Sequence, residues 1–414
     1  MKCLLMNKNV PIMSIEYNTT FNIIEKIYEI YHIEYAPLSI MNADKTKGAN
    51  VLKQTNEWFK GRGIPSWRKD LEKLLEKLNV SSPEELLNKS YALSLSDQYW
   101  LKEENSNVEW KDINFFTNDF EYEAYLEASL DSSSTSKAST DKAILRSPNN
   151  TTDGMLQKGW IIEDGKRVLV KGTYTQSREE PFNEWLASNI SKRLGFSYCD
   201  YRVEWTDKTK LVSKCDNFIN ENEEIISAYD IFKSEKKPNN INDYEFYVQI
   251  LEKHKVPDAR KNVEDMFIVD YLIMNTDRHM KNFGIIRNVE TLEWIRTTPI
   301  FDAGQSMECD KYMNEINFSK GSGKFFTNTN KNYEDILKTI GNDIANIDIS
   351  KLDGLCDEYR SLLNKYKDKM DINDKRIIRL VNGLNQRINK LEKNIENVKA
   401  ADKDIADDFD DIDK

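Results

Sequence analysis

The chain has 414 residues, which leaves room for two or three domains. Charged residues make up 31% of it, and its formal net charge of −11 at pH 7 argues against non-specific nucleic-acid binding as the main function. Its five cysteines include no Cys-x-x-Cys pair and it has only three histidines, so we expect neither a disulfide framework nor a zinc site. Because it shows neither a signal-peptide pattern nor an apolar run of about 18 residues, we expect a cytoplasmic protein without stable membrane association.

The N-terminal part predicts a small α+β module that has no catalytic pattern of its own. Residues 3–6 and 11–16 alternate around a polar turn and predict a β-hairpin. Apolar residues recur at helical spacing over residues 21–33 and again over 71–78, and both stretches predict helices. Ser82, followed by Pro-Glu-Glu, indicates the capped start of another helix. We interpret this module as a docking or bracing domain.

A serine-rich segment follows the module. Residues 130–147 consist mainly of Ser, Thr, Ala, Asp and Lys, with a run of hydroxyl side chains at 132–136. Such a composition cannot bury enough apolar surface to order itself, so it predicts a flexible linker.

The next segment predicts several strands. Two alternating runs flank Asp164 and Gly165 and predict a hairpin whose second strand ends at Lys171. The nucleotide-binding lysine of protein kinases ends a Val-Ala-Ile-Lys strand in the same way. Two further strands are predicted at 201–205 and 210–218, and the second should lead into a hinge that hydrogen-bonds adenine. By their order along the chain, the hinge residues are Lys214, Cys215 and Asp216.

A helix between these strands is predicted to begin at Glu180 and to end at Gly195. Glu184 lies near its first turn. In protein kinases a glutamate on such a helix pairs with the strand lysine, which here is Lys171. The alternative role of Glu184 is that of an ordinary acidic residue stabilised by the helix dipole.

The strongest chemical signal lies at residues 275–284, Asn-Thr-Asp-Arg-His-Met-Lys-Asn-Phe-Gly, and at the later Asp302-Ala-Gly. Phosphoryl transfer needs a carboxylate that accepts a hydroxyl proton, and hard oxygen ligands that hold Mg²⁺ against nucleotide phosphates. In protein kinases the base comes first, an amide follows five residues later, and an Asp-x-Gly comes after an intervening hairpin. Asp277, Asn282 and Asp302 match these three positions, which predicts a kinase.

The flanking sequence supports this prediction. Residues 262–274 are apolar all round and predict a buried helix that would fix the loop. Short strands at 284–287 and 292–295 predict a hairpin that carries Asn282 and Asp302 to one metal ion.

These motifs resemble the HipA-like family of bacterial serine/threonine kinases, whose catalytic loop reads Asn-x-Asp-x-His-x-Lys-Asn and whose metal-binding Asp follows a Pro-apolar-Tyr/Phe sequence. The resemblance covers about residues 145–345. It implies an α+β, two-lobed protein-kinase-like fold, with a small β-rich lobe and a larger helical lobe. It also implies ATP and Mg²⁺ as cofactors and the Ser/Thr hydroxyl of a protein as acceptor.

The resemblance assigns further residues. Gly154 and Lys158 match the family's Gly-x-x-x-Lys phosphate loop, and Asn-Glu at 183–184 matches as well. His279 would brace the catalytic loop or touch phosphate. Ser147, or a hydroxyl at 132–136, becomes a candidate for autophosphorylation. The expected regions are an N-terminal module (1–127), a linker (128–148), a small lobe (149–216), a large lobe with C-terminal helices (217–398) and a disordered acidic tail (399–414).

Partners and acceptors stay open at this point. Family members are often toxins paired with a DNA-binding antitoxin, which implies an antitoxin-type protein partner and no direct nucleic-acid contact by this chain. Asp-Arg-His-x-x-Asn is also the catalytic-loop motif of phosphatidylinositol kinases, so a lipid kinase is one alternative. A nucleotide-binding scaffold without transfer activity is another. Three lysines within residues 319–331 would suit a phosphoinositide headgroup or an acidic protein surface. Gly323-Lys324 is not a P-loop, because Phe follows the lysine.

Overall fold

The computed structural model describes residues 1–45, 50–65, 71–77, 79–123, 125–126, 146–151, 157–207 and 210–412. The chain divides into two compact units, each built from three segments. Unit 1 comprises Met1–Tyr174, Arg202–Pro238 and Gly284–Arg296, and unit 2 comprises Thr175–Tyr201, Asn239–Phe283 and Thr297–Lys414. The boundaries expected from the sequence stay a prediction. Most of the expected linker lies outside the described residues.

Strands and helices are both numerous in the described part of the chain. The strands are β1 (Lys2–Asn7), β2 (Val10–Asn18), β3 (Ile23–Ile30), β4 (Tyr99–Glu103), β5 (Lys158–Glu163), β6 (Lys166–Lys171), β7 (Arg202–Thr206), β8 (Lys210–Asp216), β9 (Glu223–Ser227), β10 (Gly284–Asn288), β11 (Trp294–Thr297), β12 (Ser322–Lys324) and β13 (Asn330–Asn332). The helices are α1 (Leu38–Lys45), α2 (Val51–Gly61), α3 (Leu71–Lys77), α4 (Pro83–Lys89), α5 (Trp110–Ile113), α6 (Glu180–Leu194), α7 (Ala228–Lys233), α8 (Asp243–Lys253), α9 (Ala259–Ile273), α10 (Tyr333–Ile340), α11 (Leu355–Met370) and α12 (Asp374–Ile412). None of the helices in the described residues is both long and apolar enough to cross a bilayer.

The first sheet of unit 1 has the strand order β3-β2-β1-β4. The predicted hairpin is confirmed as β1 and β2, which pair in antiparallel register. The prediction of a helix over residues 21–33 was wrong, because β3 pairs with β2 instead. Ile and Tyr side chains favour strands, and pairing satisfies the backbone groups of β2 that would otherwise form an edge. The predicted cap at Ser82 is confirmed, since its hydroxyl accepts from the Glu85 N–H at 3.2 Å.

The second sheet of unit 1 has the order β5-β6-β8-β7 and contains the predicted hairpin. Its turn has positive φ at Asp164 (51°) and Gly165 (75°), as two-residue hairpin turns require. Part of the N-terminal region packs on this sheet. Trp160 and Ile162 pack against a buried cluster that includes Trp110. This cluster therefore joins part of the N-terminal region to β5.

Unit 2 is organised around α9, whose residues from Val263 to Ile273 are all buried. This confirms the buried helix predicted at 262–274. It packs against α6, α8, α10 and α12. The last helix, α12, extends to Ile412, and the acidic tail expected over 399–414 stays a prediction. The sequence contains neither Gly nor Pro after Gly383, and helix propagation adds a hydrogen bond for each residue fixed.

Candidate active site

A buried arginine organises the catalytic loop of unit 2. Arg278 is 1% exposed, and its Nε and Nη2 donate to the two carboxylate oxygens of Asp270 at 2.9 and 3.0 Å. Its Nη1 donates to the carbonyls of Asn282 at 2.8 Å and Phe301 at 2.6 Å. A bidentate, fully buried pair of this kind holds a fixed geometry. It therefore ties Asn282 and the residue before Asp302 to the middle of the unit.

Asn275 fixes the backbone at Asp277. Its Nδ2 donates to Asp270 at 2.8 Å, and its Oδ1 accepts from the Asp277 N–H at 2.9 Å. Its carbonyl accepts from the hydroxyl of Tyr333, which lies at the start of α10. Met274, where α9 ends, has a φ of 54°, and this left-handed residue turns the chain out of the helix. The backbone that carries Asp277 is consequently held from several directions.

The carboxylate of Asp277 is accessible, with 38% of the side chain exposed. Its Oδ1 accepts from Lys324 Nζ at 2.5 Å, and its Oδ2 lies 3.9 Å from His279 Nε2. His279 Nδ1 accepts from the Lys281 N–H at 3.2 Å, which places the proton of the neutral ring on Nε2. A partly exposed carboxylate fixed in this way can accept a hydrogen bond from an incoming hydroxyl group.

The charge of His279 follows from its surroundings. Burial lowers the pKa of His279 below its ordinary value of 6.5, although the carboxylates of Asp277 and Asp302 act in the opposite direction. The ring is therefore neutral at neutral pH.

Asn282 and Asp302 are the two residues that the sequence predicts as magnesium ligands. The Nδ2 of Asn282 donates to the Asp277 carbonyl at 3.0 Å, which leaves Oδ1 as the atom for a cation. Asp302 has a φ of 56°, a left-handed conformation that costs free energy and is common at functional sites. No group of three or more His, Cys, Asp or Glu side chains in the described residues could hold a metal ion. One amide and one carboxylate fit Mg²⁺ only where phosphates supply further oxygen ligands.

The first turn of α6 supports the turn at Asp302. Glu184 is 1% exposed, and its Oε2 accepts from the Ala303 N–H at 2.9 Å. Asn183 Nδ2 donates to the carbonyls of Gly304 and Ser306, each at 2.8 Å. Glu184 is thus more than a solvated carboxylate at a helix terminus, because it orients the residue after Asp302.

The other predicted nucleotide contacts lie in unit 1. Lys171 is 3% exposed at the end of β6, directly opposite Lys158 in the hairpin register. Gly154 lies outside the described residues. Lys214 donates to Glu163 and Glu204 at 2.8 and 2.7 Å. It is also the last residue of β8 that pairs with β7.

In the strand register of the described residues, Cys215 and Asp216 have partners in β6 but none in β7. The pairing of β8 with β7 ends at Lys214, which is opposite Arg202, the first residue of β7. No nucleotide contact of residues 214–216 is shown, so the hinge stays a prediction.

Ser147, the candidate for autophosphorylation, is fully buried. Its hydroxyl accepts from Asn149 Nδ2 at 3.0 Å. Phosphorylation of Ser147 would thus require this segment to open. Residues 132–136, the alternative acceptors, lie outside the described residues.

Comparisons with known proteins agree with the motifs. The family model named HipA-like C-terminal domain matches residues 137–361, which is more than half of the chain. The chain belongs to this family. The resemblance predicted from the catalytic loop is therefore confirmed.

The HipA-like chain is also similar to individual proteins. It is 25% identical over 182 residues to the serine/threonine-protein kinase CtkA of Helicobacter pylori strain J99, a match that covers 39% of this chain and 55% of that protein. The match thus spans about half of the curated relative. This distant similarity supports a kinase-like protein at the level of the family.

Two solved structures are similar to the HipA-like chain. The H. pylori proinflammatory kinase CtkA has a TM-score of 0.47 and 19% identity, and the match covers 58% of this chain and 95% of that one. Shewanella oneidensis MR-1 HipA, solved with HipB and operator DNA, has a TM-score of 0.47 and 12% identity, and the match covers 94% and 97%.

Sequence reasoning missed several residues of the site. Asp270 was seen only as part of an apolar helix, although an acidic residue in such a helix indicates a buried partner. Asn183 was predicted only as part of the Asn-Glu sequence that matches the family, and its hydrogen bonds to the turn after Asp302 were not predicted. The ion pair between Lys324 and Asp277 joins residues 47 positions apart, and no local pattern predicts it.

Proposed function

We propose that this HipA-like protein is a kinase that transfers the γ-phosphate of ATP to a serine or threonine hydroxyl of a protein, with Mg²⁺. The observation that carries the proposal is the partly exposed carboxylate of Asp277, fixed on a loop whose buried Arg278 also binds the backbone of Asn282 and of the residue before Asp302. The two-lobed kinase-like layout implied by the resemblance is part of the same proposal.

In the proposed reaction Asp277 orients the acceptor hydroxyl and receives its proton. As the hydroxyl oxygen forms its bond to the γ-phosphorus, the bond to the bridging oxygen breaks and ADP departs with that electron pair. Asn282 Oδ1 and the Asp302 carboxylate would hold Mg²⁺, which supplies charge neutralisation at the phosphates. Neutral His279, whose Nε2 lies 3.9 Å from Asp277 Oδ2, adds no charge beside the carboxylate.

Further nucleotide contacts rest on the family motifs. We propose that Lys171, Lys158 and Gly154 contact the phosphates, and that the backbone of residues 214–216 contacts adenine. The solved HipA complex contains HipB and operator DNA. For this chain we propose a protein partner of antitoxin type and no direct DNA contact.

The test is transfer of radiolabelled phosphate from ATP in the presence of Mg²⁺, with a protein extract and phosphoinositide vesicles offered in parallel. We expect labelled protein and unlabelled lipid. Asp277→Asn and Asp302→Asn should each lower the rate of phosphate transfer by a factor of roughly 10² or more, because each removes a charge that acts on the reacting groups. Asp310→Asn is the matched control, since Asp310 is an exposed residue of unit 2 whose carboxylate pairs with its neighbour Lys311.

Other outcomes would identify a different function. Labelled phosphoinositide without labelled protein would indicate a lipid kinase. ATP binding without transfer to either acceptor would indicate a nucleotide-binding scaffold. Full transfer by the two site variants would refute the assignment of the catalytic residues.

A further inference from the structure

The Gly-Ser-Gly-Lys segment at residues 321–324 packs directly against the catalytic loop. A Cβ atom on Gly323 would lie 2.7 Å from the Asn275 carbonyl oxygen and 2.9 Å from the Tyr333 ring, distances that real Cβ atoms do not show. A Cβ on Gly321 would meet the terminal methyl of Met274, a more flexible neighbour. Glycine at 323 therefore lets β12 approach the backbone of the loop that carries Asp277.

The residues after this segment are anchored as well. Phe325 and Phe326 are buried, and their ring centroids lie 4.7 and 5.7 Å from that of Phe267 on α9. Lys324 is therefore preceded in the chain by Gly323, which packs on the loop backbone, and followed by two phenylalanines that pack on α9. Its side chain is only 25% exposed, and its ammonium group is directed to Asp277. This restricts it far more than a lysine on a surface loop.

The three lysines of this segment differ in what they contact. Lys331 Nζ donates to the Thr339 hydroxyl at 2.7 Å, and Lys324 donates to Asp277. Lys320 is exposed. The segment therefore does not present three equivalent cations to an acidic acceptor, which was one reading of the sequence.

We propose that Lys324 is a positioning residue for Asp277, an inference that rests on the proposed kinase function. An aspartate carboxylate can rotate about its terminal bond, and either oxygen could then face the acceptor. Lys324 binds Oδ1, so that Oδ2 is the oxygen that receives the hydroxyl proton. The ammonium charge also reduces repulsion between the carboxylate and the phosphates of the nucleotide.

Steady-state kinetics of Lys324→Met, Lys324→Arg and Lys320→Met test this role. We expect Lys324→Met to lower kcat roughly tenfold or more while the KM for ATP changes less than about twofold, because the lost contact acts on the base. Lys324→Arg should recover much of kcat, and Lys320→Met should match the wild type. An active wild type with an equally active Lys324→Met variant would overturn this role alone. A wild type without transfer would overturn the proposed function and this role together.

A second measurement does not depend on turnover or on a lysine variant. Acetylation of lysines by an amine-reactive reagent, read by mass spectrometry, reports how accessible each ammonium group is. Asp277→Asn should increase the labelling of Lys324 several-fold and leave Lys320 unchanged, whereas Asp310→Asn should affect neither. Equal labelling of Lys324 in wild type and Asp277→Asn would show that the pair does not form in solution and would overturn the inference.

Discussion

Replacement of Asp270 by Asn tests the buried pair beneath the catalytic loop. Asp270 and Arg278 are 2% and 1% exposed, and each Asp270 oxygen accepts from the guanidinium group. Removing one charge from such a pair leaves the other buried without compensation, which costs about 3–5 kcal/mol. For a unit of this size, that loss corresponds to a fall in Tm on the order of 10 °C.

The matched control is Asp265→Asn, on the same helix. The Asp265 side chain is only 8% exposed, but its partner Lys261 is 63% exposed and stays hydrated without it, so the replacement leaves no charge buried and should cost less than about 1 kcal/mol. Thermal unfolding followed by tryptophan fluorescence compares the two variants, and hydrogen exchange of residues 275–283 reports the loop. If Asp270→Asn unfolded within about 2 °C of Asp265→Asn, Arg278 would not anchor the loop in the way described.

Two further predictions concern the surroundings of Asp277. Gly323→Ala should lower the transfer rate and the Tm, since the new Cβ would meet the Asn275 carbonyl. The control Gly61→Ala should change neither, because a Cβ at that position meets nothing within 4 Å. Thermal unfolding and labelled-phosphate assays compare the two variants, and equal behaviour would contradict the packing of Gly323 on the loop. His279 should lower the free energy of unfolding on acidification. Its pKa in the folded protein lies below 6.5, the ordinary value for the unfolded chain, so the unfolded chain binds more protons and unfolding becomes easier as the pH falls below about 6.5. Urea unfolding at pH 7.5 and 5.5 should therefore show a smaller loss for His279→Gln than for the wild type, and identical losses would argue against it.

The residues that sequence could place are those whose signal is local. Asp277, Asn282 and Asp302 could be predicted as site residues because their spacing along the chain is typical of one loop and one hairpin, and their roles stay predictions. The contacts that hold them could not be found in this way, since Lys324 and Tyr333 reach the loop from distant positions. The error at β3 has a physical cause too. Isoleucines at helical spacing over so short a stretch suit a strand equally well, and only the presence of β2 as a pairing partner decides.

The interleaving of the two units has a consequence for how the protein is made. The chain passes between them five times, and the last excursion, Gly284–Arg296, separates the loop at Arg278 from its acceptor at Phe301. During synthesis the guanidinium group cannot complete its bonds until that excursion has left the ribosome. A nascent chain that stops before this point contains Asp277 but lacks one of the hydrogen bonds that hold its loop, so this loop would reach its final geometry late in translation.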